Sequence, residues 1–298
     1  MRAVVTGGHG FAGTHLLAHL RAMGDEVTAM DRSGPAPVDV TDPERVHERI
    51  VDLHPDVVYH LAAFTHVGES FGAAEEVWRV NVDGTSNVLA ACRDAHVERV
   101  IVVGSSEEYG VVDSLDTPLT ETSPIRPTSP YARSKVRAET LALDAFVAHG
   151  LPVVCARPFS HTGPGQSPSF LVPALASRIV AAERDEGDTV RVGNLDAVRD
   201  YSDVRDVVRA YRLLAERGEP GSVYNVCSGR GVTVAEIADG LLAQARRPLR
   251  LVVDPDLVRT TDVPVLVGDG GRLRAATGWQ PEVPLEQTLS DVLAAART

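Results

Sequence analysis

Short hydrophobic runs alternate with amphipathic stretches over the first 160 residues of the chain. The hydrophobic runs predict strands at residues 3–6, 26–30, 56–61 and 100–103. The stretches between them predict helices at residues 14–23, 43–53 and 81–95. Strands that alternate with helices of this length form parallel sheets covered by helices on both faces. The pattern therefore predicts an α/β fold with a Rossmann-type, doubly wound parallel sheet.

The alternation breaks near residue 161. The segment His161-Thr162-Gly163-Pro164-Gly165 indicates a loop, and Pro168 and Pro173 interrupt the sequence that follows it. Helical patterns return at residues 202–215 and 234–245. We therefore expect a first domain at residues 1–160 and a smaller carboxy-terminal α/β lobe at residues 161–298. Segments near residues 199–227 are expected to pack back onto the first domain.

A glycine-rich turn follows the first predicted strand directly and opens the first predicted helix. It contains Gly7, Gly10 and Gly13, with Phe11 and Ala12 between the last two. Glycine permits positive φ angles, close approach of the backbone to a pyrophosphate and tight packing of the helix on the strand. The helix N-terminus adds unpaired N–H groups and a partial positive charge. The turn therefore predicts a dinucleotide-binding site.

An acidic residue, Asp31, ends the second predicted strand, and such a residue stands about 20 residues beyond the glycines in dinucleotide-binding units. A carboxylate there accepts hydrogen bonds from the adenosine ribose hydroxyls of NAD and repels the 2′-phosphate of NADP. Arg32 follows at once and is able to pair with a 2′-phosphate. The predicted cofactor is therefore NAD(P), with NAD favoured by Asp31 and NADP left open by Arg32.

Tyr131 and Lys135 are four residues apart, so they lie on one face of a predicted helix. Pro127 and Pro130, just upstream, fit a helix start rather than a helix interior. A cation beside a phenol stabilises the phenolate, so we expect the pKa of Tyr131 to fall from about 10 towards neutrality. Tyr131 is then able to exchange a proton with a hydroxyl or a carbonyl group.

Composition and charge narrow the range of partners. The chain has 298 residues, of which 44% are hydrophobic and 23% charged, and its formal net charge is −12. This charge disfavours nucleic acid and anionic membranes as partners, and no apolar run approaches the roughly 20 residues that span a bilayer. The first residues already form a predicted strand, which leaves no room for a signal peptide. Cys92, Cys155 and Cys227 match no metal-ligand spacing, so free thiols, no metal site and a cytoplasmic location are expected.

Further motifs accompany the glycine turn and the Tyr131–Lys135 pair. They are His60-Leu61-Ala62-Ala63, Asn81-Val82-x-Gly84-Thr85, Ser105-Ser106-Glu107-Glu108-Tyr109-Gly110, Arg157-Pro158-Phe159-x-His161-Thr162-Gly163-Pro164-Gly165-Gln166 and Arg199-Asp200-Tyr201-x-x-Val204-x-Asp206. With these motifs the chain resembles, over nearly its full length, the extended short-chain dehydrogenases/reductases of the NAD-dependent epimerase/dehydratase family. That group comprises sugar-nucleotide epimerases, dehydratases and ketoreductases.

The resemblance implies a set of site residues. The implied catalytic residues are Ser105, Glu107, Tyr131 and Lys135, of which Ser105 holds the reacting sugar oxygen and Lys135 also binds the nicotinamide ribose. The implied cofactor contacts beyond the glycine turn and Asp31-Arg32 are Asp39, Val40, Leu61, Ala62, Ala63, Asn81 and Pro158, with Asp39 and Val40 beside the adenine. The implied substrate contacts are Ser106, Ser160, Arg199 and Arg259, and the two arginines are candidate clamps for a diphosphate.

The resemblance leaves more than one reaction open. Ser105-Ser106-Glu107 is similar to the acid–base triplet of 4,6-dehydratases, whereas residues 104–110, 163–170 and 198–206 are more similar to the GDP-6-deoxy-4-keto-mannose reductases, which also have the glutamate. The first interpretation is NAD(P)H-dependent reduction of a nucleoside-diphosphate 4-keto-6-deoxy sugar, of the GDP-4-keto-6-deoxy-mannose type, to the 4-hydroxy sugar. The alternatives are a GDP-mannose-type 4,6-dehydratase or a 4-epimerase with bound NAD, and a non-catalytic dinucleotide-sensing protein.

Two further expectations follow from the resemblance. Ser160 stands where the family usually has an asparagine in contact with substrate, so the identity of the sugar stays open. The family commonly forms homodimers through a four-helix bundle, for which residues 81–95 and 129–149 would supply the helices. The first domain is then expected to bind the dinucleotide, and the carboxy-terminal lobe is expected to bind the nucleotide sugar.

Overall fold

The structure is a computed structural model that describes residues 1–111, 118–185, 187–257 and 263–298. Its strands are β1 (Arg2–Thr6), β2 (Glu26–Met30), β3 (Val57–His60), β4 (Arg99–Val103), β5 (Val153–Pro158), β6 (Ser160–Thr162), β7 (Thr189–Val192), β8 (Val198–Asp203), β9 (Ser222–Val226), β10 (Gly231–Thr233), β11 (Arg250–Val253) and β12 (Val265–Leu266). Its α-helices are α1 (Phe11–Ala22), α2 (Pro43–Leu53), α3 (Ala74–Trp78), α4 (Gly84–Asp94), α5 (Pro130–His149), α6 (Leu171–Arg184), α7 (Val204–Arg217), α8 (Val234–Leu242), α9 (Gly271–Thr277) and α10 (Leu285–Arg297).

The central sheet has six strands in the order β2-β1-β3-β4-β5-β9, and all neighbouring pairs are parallel. Its inner strands are rich in β-branched residues that are buried on both faces, such as Val100 and Ile101 in β4. These residues favour strands because branched side chains pack well on a pleated surface. The α/β fold with a doubly wound parallel sheet is therefore confirmed.

Helices cover both faces of the central sheet. α1, α7 and α9 pack on one face, around a core that includes Leu16, Tyr211 and Trp279. α2, α4 and α5 pack on the other face, around a core that includes Ile50 and Cys92.

All three cysteines are buried free thiols, as predicted. None of the helices within the described ranges is long and apolar enough to cross a membrane.

The chain returns to the central sheet after residue 161. β9 extends the sheet beside β5, α7 packs against α1, and α9 packs against α7. α6, α8 and α10 enclose a different core with β7, which pairs with β11. β8 pairs with β6, β10 and β12. The later segments that pack beside α1 thus include α9, which the sequence did not indicate. The domain boundary between residues 160 and 161 stays a prediction.

Two predicted helices differ from the observed ones. The helix expected at residues 81–95 begins earlier, as α3, and passes through a π-helical turn at Arg79–Asp83 before α4. In this turn Thr85 Oγ1 donates to the Asn81 carbonyl oxygen at 2.6 Å, and such bonds compete with regular helix hydrogen bonds. The helix expected from residue 202 begins at Val204, because Asp203 still belongs to β8 and caps α7 by accepting from the Arg205 N–H at 2.7 Å.

Candidate active site

A large cavity opens at the carboxyl ends of β1 and β3. The chain leaves β1 towards α1 on one face of the sheet and leaves β3 towards α4 on the other face. Open α/β sheets bind ligands at such a switch point. The cavity volume is about 1360 Å³, which exceeds the roughly 300–1,000 Å³ of a pocket for one drug-sized ligand. The space is large enough for a dinucleotide together with a second ligand.

This cavity brings together most of the residues predicted for cofactor, substrate and catalysis. Its lining includes Gly7, Gly10, Phe11, Ala12, Gly13, Asp31, Arg32, Asp39, Val40, Leu61, Ala62, Ala63, Ser105, Ser106, Glu107, Tyr131, Lys135, Pro158, Ser160 and Arg199. Asn81 is not part of the lining, and Arg259 lies outside the described residues. In the part of the chain that the structure describes, no group of three or more histidine, cysteine, aspartate and glutamate side chains is arranged to hold a metal ion.

The glycine turn closes tightly between β1 and α1. Gly7 has a φ of 67°, and a Cβ atom added there would lie 2.8 Å from the backbone nitrogen of Ala62. A Cβ atom on Gly13 would collide with the carbonyl oxygen of Gly7. Gly10 is the N-cap of α1 and supplies no side-chain cap, so the first N–H groups of the helix point to the turn without a side-chain partner. These are the features that a diphosphate group requires.

Asp31 is held against the glycine turn. Its carboxylate accepts hydrogen bonds from the backbone N–H groups of His9 and Ser33, each at 3.1 Å. Asp39 lies along the same side of the cavity and accepts from the Thr41 N–H at 2.9 Å, and this bond lowers the pKa of Asp39. Two carboxylates and the Arg32 guanidinium thus line the end of the cavity next to the glycine turn.

Ser105, Tyr131 and Lys135 meet at the carboxyl end of β4. Ser129 caps α5 by accepting from the Ala132 N–H at 3.0 Å, so Tyr131 and Lys135 lie on the first two turns of that helix. Ser105 lies close enough to the Tyr131 phenol for its side chain to lower the pKa of that phenol. The Lys135 ammonium donates to the Val103 carbonyl oxygen at 2.7 Å. Lys135 is also the only lysine in the chain.

The pKa of Tyr131 does not shift in the predicted direction. Burial raises it above the ordinary value, the Ser105 side chain lowers it, and the nearby Glu107 and Glu108 raise it further. The expected fall is therefore wrong here, because the phenol is buried and the Lys135 ammonium is bonded to a backbone carbonyl. Burial also lowers the pKa of Lys135 to about 8. At neutral pH the pair is a neutral phenol beside a lysine that is mostly charged.

The remaining predicted residues lie farther along the same cavity. Glu107 is half-buried, and Ser106 is almost fully buried within the short 3₁₀ helix Ser106–Tyr109. Ser160 on β6 lies opposite Tyr201 of β8. Arg199, also on β8, donates to the Val198 carbonyl oxygen at 2.9 Å. Residues on the central sheet and residues on β6 and β8 therefore line one cavity.

Comparison with known proteins agrees with this geometry. The NAD dependent epimerase/dehydratase family matches residues 3–227 of the chain. The chain is 36% identical over 296 residues to the GDP-6-deoxy-D-mannose reductase of Pseudomonas aeruginosa, with 98% of this chain and 96% of that protein covered. The protein belongs to the NAD-dependent epimerase/dehydratase family.

Solved structures of similar proteins agree with this assignment. RMD from Pseudomonas aeruginosa, solved in complex with NADPH, superposes with a TM-score of 0.90 at 34% identity over 99% of this chain and 98% of that one. The UDP-glucose 4-epimerase of Thermus thermophilus, solved in complex with NAD, also has a TM-score of 0.90, at 30% identity over 100% of this chain and 99% of that one. These epimerase/dehydratase relatives thus bind NADPH in one structure and NAD in the other.

In this member of the epimerase/dehydratase family, buried polar side chains brace the loops beside the glycine turn. Thr6 Oγ1 accepts from the N–H groups of Leu61 and Ala62, each at 3.1 Å. Its own proton is therefore available to His60 Nδ1 at 2.8 Å, and His60 Nε2 bonds Thr85 Oγ1 at 2.9 Å. Burial lowers the pKa of His60 to about 3, so the imidazole stays neutral.

Asn81 lies behind the cavity wall. Its side-chain oxygen accepts from the Phe64 N–H at 2.7 Å, and its side-chain nitrogen donates to Ser134 Oγ at 2.9 Å. Ser134 Oγ in turn donates to the Tyr131 carbonyl oxygen at 2.7 Å. Asn81 therefore connects the loop after β3 with the helix of Tyr131 and Lys135, and a direct contact with the cofactor stays a prediction.

Sequence reasoning missed several side chains of the cavity. Phe64, His66, Phe170, Arg178 and Tyr211 line it without having been assigned a part in it. His66 and Phe170 come from distant parts of the chain, and their ring centroids are 5.8 Å apart. Tyr211 lies on the buried face of α7, where apolar spacing predicts only a core residue. No local pattern indicates these contacts, because separate elements create them.

Proposed function

We propose that the protein catalyses NAD(P)H-dependent reduction of a nucleoside-diphosphate 4-keto-6-deoxy sugar, of the GDP-4-keto-6-deoxy-mannose type, to the 4-hydroxy sugar. The observation that carries the proposal is the position of the Ser105 side chain beside the Tyr131 phenol, with both residues at the wall of the large cavity. These two groups are suited to bind and protonate a carbonyl oxygen. Similarity to a GDP-6-deoxy-D-mannose reductase over 98% of the chain supports the choice of substrate.

The residues around the glycine turn fit a dinucleotide. The backbone N–H groups at the start of α1 face the turn, and no side chain at Gly7, Gly10 or Gly13 fills the space beside them. In the proposal, Asp31 and Arg32 contact the adenosine ribose. The other cofactor contacts proposed are Phe11, Ala12, Asp39, Val40, Leu61, Ala62, Ala63, Asn81, Lys135 and Pro158, and the substrate contacts proposed are Ser106, Ser160, Arg199 and Arg259.

The chemistry needs one hydride and one proton. When bound, a reduced nicotinamide supplies the hydride that turns the C4 carbonyl carbon into an alkoxide carbon. Tyr131 donates the proton to the alkoxide oxygen, for which its raised pKa keeps the phenol protonated at neutral pH. Ser105 donates a hydrogen bond to the same oxygen and orients it, and Lys135 holds the nicotinamide ribose. The buried position of the pair excludes water from the reacting oxygen.

We also propose that the protein has two domains and forms a homodimer. Residues 1–160 form the dinucleotide-binding domain, residues 161–298 form the nucleotide-sugar-binding lobe, and segments near 199–227 belong with the first of them. The protein forms a homodimer in the cytoplasm, with α4 and α5 of each copy in the interface. The side-by-side packing of α4 and α5 on one face of the central sheet supports this arrangement.

An assay with added cofactor tests the proposed reaction. The protein is incubated with GDP-4-keto-6-deoxy-mannose and with its UDP and dTDP counterparts, each with NADH and with NADPH. We expect stoichiometric loss of the reduced nicotinamide absorbance, and a product that has gained one H₂ by mass and a C4 hydroxyl by NMR. Turnover of GDP-mannose without net change in nicotinamide absorbance, and no reduction of the keto sugars, would contradict the proposal.

A 4,6-dehydratase is the second candidate, because Glu107 lines the cavity two residues beyond Ser105. In a dehydratase this carboxylate would remove the C5 proton and assist loss of the 6-hydroxyl, so Glu107→Gln would abolish turnover. In the proposed reductase Tyr131 supplies the proton to the C4 oxygen, so the catalytic role that the resemblance implies for Glu107 would belong to the dehydratase alone. The same assay on the Glu107→Gln protein therefore separates the two reactions, and we expect its rate of ketone reduction to stay close to that of the wild type.

We expect Asp31→Asn to shift cofactor preference towards NADPH. His9 N–H binds Oδ2 and Ser33 N–H binds Oδ1, so asparagine keeps an acceptor for one of the two, and it removes the charge that repels a 2′-phosphate. Two like charges about 4 Å apart repel by about 1 kcal/mol in water and by about 4 kcal/mol near a protein surface. The NADPH/NADH ratio of kcat/KM should therefore rise about tenfold or more. Arg32→Ala should move the ratio in the opposite direction. Initial rates with both cofactors measure it, and an unchanged ratio in both variants would show that neither residue reads the 2′ position.

A further inference from the structure

Glu108 is a fully buried carboxyl group that the proposed reaction does not use. It faces Arg157, whose guanidinium is already paired with Glu139 through bonds of 2.8 Å from Nε and 2.6 Å from Nη2. Glu108 Oε2 lies 3.3 Å from Arg157 Nε and has no hydrogen-bond partner among the described residues. The site therefore holds a second carboxyl group beside one cation that is already neutralised, which is costly in a buried environment.

The other oxygen of this carboxyl group acts on Ser105. Glu108 Oε1 accepts from the Ser105 N–H at 2.8 Å, and Ser105 Oγ accepts from the Glu107 N–H at 3.2 Å. These bonds cap the 3₁₀ helix Ser106–Tyr109 and hold Ser105 extended, with φ −162° and ψ 146°. Gly104 leaves room for the carboxyl group, because a Cβ atom there would lie 2.5 Å from Glu108 Oε1. The backbone before the candidate catalytic serine is thus shaped around Glu108.

The bonds between Ser105 and Glu108 form a capping box, in which a side chain at the helix start and a glutamate each bind the backbone of the other. The chain contains another capping box, at the start of α8, where the glutamate serves only to cap the helix. Thr233 and Glu236 cap α8 with a similar pair of bonds: the Thr233 N–H donates to the Glu236 carboxylate at 2.7 Å, and the Glu236 N–H donates to Thr233 Oγ1 at 3.0 Å. Glu236 is exposed to solvent, and Arg230, the cation that acts on it, is exposed as well. A cap by itself therefore does not require a buried carboxyl group. The burial of Glu108 beneath Ser105 indicates a role in the site.

We infer that Glu108 is a positioning residue of the proposed reduction, which holds the backbone of Ser105 so that the serine hydroxyl meets the Tyr131 phenol and the substrate oxygen. The inference rests on the proposed function for the roles of Ser105 and Tyr131. Glu108 itself touches neither the hydride acceptor nor the proton that is transferred. Its effect is on kcat, because the serine must be correctly placed when the alkoxide forms.

The charge of Glu108 also reaches the two titrating groups of the site. The charged and titratable groups that face it are Glu139 and Lys135 on α5 and Arg157 and the Cys155 thiol on β5, with Tyr131 nearby. Burial and Glu139 raise the pKa of Glu108 to about 8. A negative charge on Glu108 raises the pKa of both Tyr131 and Lys135. Because a carboxyl group with a pKa of about 8 becomes charged only in the alkaline range, removing its charge should lower both pKa values there, whereas a merely structural loss would leave them in place.

Three variants test the inference. Glu108→Ala removes the acceptor for the Ser105 N–H, Glu108→Gln keeps an acceptor but removes the charge, and Glu236→Ala removes the matched cap on α8. For Glu108→Ala we expect kcat to fall about 10- to 100-fold with little change in KM, and for Glu108→Gln we expect most of kcat to return. The alkaline limb of the Glu108→Gln pH–rate profile should move to lower pH. Glu236→Ala should keep the wild-type kcat and pH profile.

A readout without turnover is available because Lys135 is the only lysine. In protein labelled with ¹³C-lysine, one side-chain signal reports the titration of Lys135, and it should titrate at lower pH in Glu108→Gln than in the wild type. If Glu108→Ala does not fold, the Glu108→Gln titration and pH profile decide the question. An unchanged Lys135 titration in Glu108→Gln, a wild-type kcat in Glu108→Ala, or an equal loss of kcat in Glu236→Ala would each overturn the inference. Failure of the wild-type protein to reduce any keto sugar would instead contradict the proposed function.

Discussion

Replacing Tyr131 by phenylalanine is expected to lower kcat for ketone reduction by about 10²–10⁴-fold, the range that general acid catalysis contributes. Tyr131 is the buried phenol beside Ser105, and burial raises its pKa, which keeps the proton in place until the alkoxide forms. Phenylalanine keeps the ring and its packing but has no proton to give. Steady-state rates with a 4-keto sugar, together with the dissociation constant of the cofactor measured by fluorescence, separate a lost proton donor from a lost binding site.

Tyr59→Phe is the matched control for this variant. Tyr59 is a fully buried tyrosine on β3 whose hydroxyl has no hydrogen-bond partner within the described residues. Its removal should leave kcat unchanged and should not lower stability, because no bond is lost. Ketone reduction by Tyr131→Phe at the wild-type rate would show that the proton comes from another group.

Replacing Gly13 by alanine is expected to weaken cofactor binding more than any other small change in the glycine turn. The added Cβ atom would collide with the Gly7 carbonyl oxygen and would also lie 2.9 Å from the backbone of Gly8. Overpacking of this kind costs about 1–3 kcal/mol, and backbone atoms have little freedom to move aside. If the strain distorts the turn, the dissociation constant of NAD(P)H should rise about 5- to 150-fold.

Gly72→Ala provides the comparison for Gly13→Ala. Gly72 has a φ of −90°, and a Cβ atom there would meet its nearest neighbour, the Glu69 carbonyl oxygen, at 3.8 Å. This substitution should be tolerated without change in cofactor affinity. Titration of both proteins with NADPH and NADH gives the dissociation constants, and thermal melts show whether each is folded. Wild-type affinity in a folded Gly13→Ala protein would mean that the turn does not hold the pyrophosphate.

Local sequence patterns predicted the parts of the fold that depend on neighbouring residues. The run before Gly7 forms β1, the glycine turn leads into α1, and Asp31 follows β2 as expected. These elements are predictable because strand and helix periods, and the need for glycine at a positive φ, are properties of a few consecutive residues. Most of the predicted site residues gather in one cavity for a related reason, since the carboxyl ends of parallel strands meet at one edge of the sheet.

Other features could not be predicted from local patterns. The π-helical turn at Arg79–Asp83 accompanies the bonds of Asn81 to Phe64 and Ser134, which come from other elements. The position of α9 on the same face of the central sheet as α1 depends on its packing against α7, which its own sequence does not predict. Each of these features depends on contacts between residues that are far apart in the chain, and the periodicity and spacing of local residues do not predict such contacts.

The sequence by itself determined the α/β class, the glycine turn and the pairing of Tyr131 with Lys135 on one helix, because each follows from residue type and spacing alone. Only the tertiary structure decided how those groups titrate and what holds them. Burial raises the pKa of Tyr131 where helical spacing alone suggested a fall, and Glu108 lies under Ser105 only because β4, β5 and α5 converge there. The physical reason is that desolvation and charge–charge interactions depend on all surrounding atoms, which the chain brings together only when it folds.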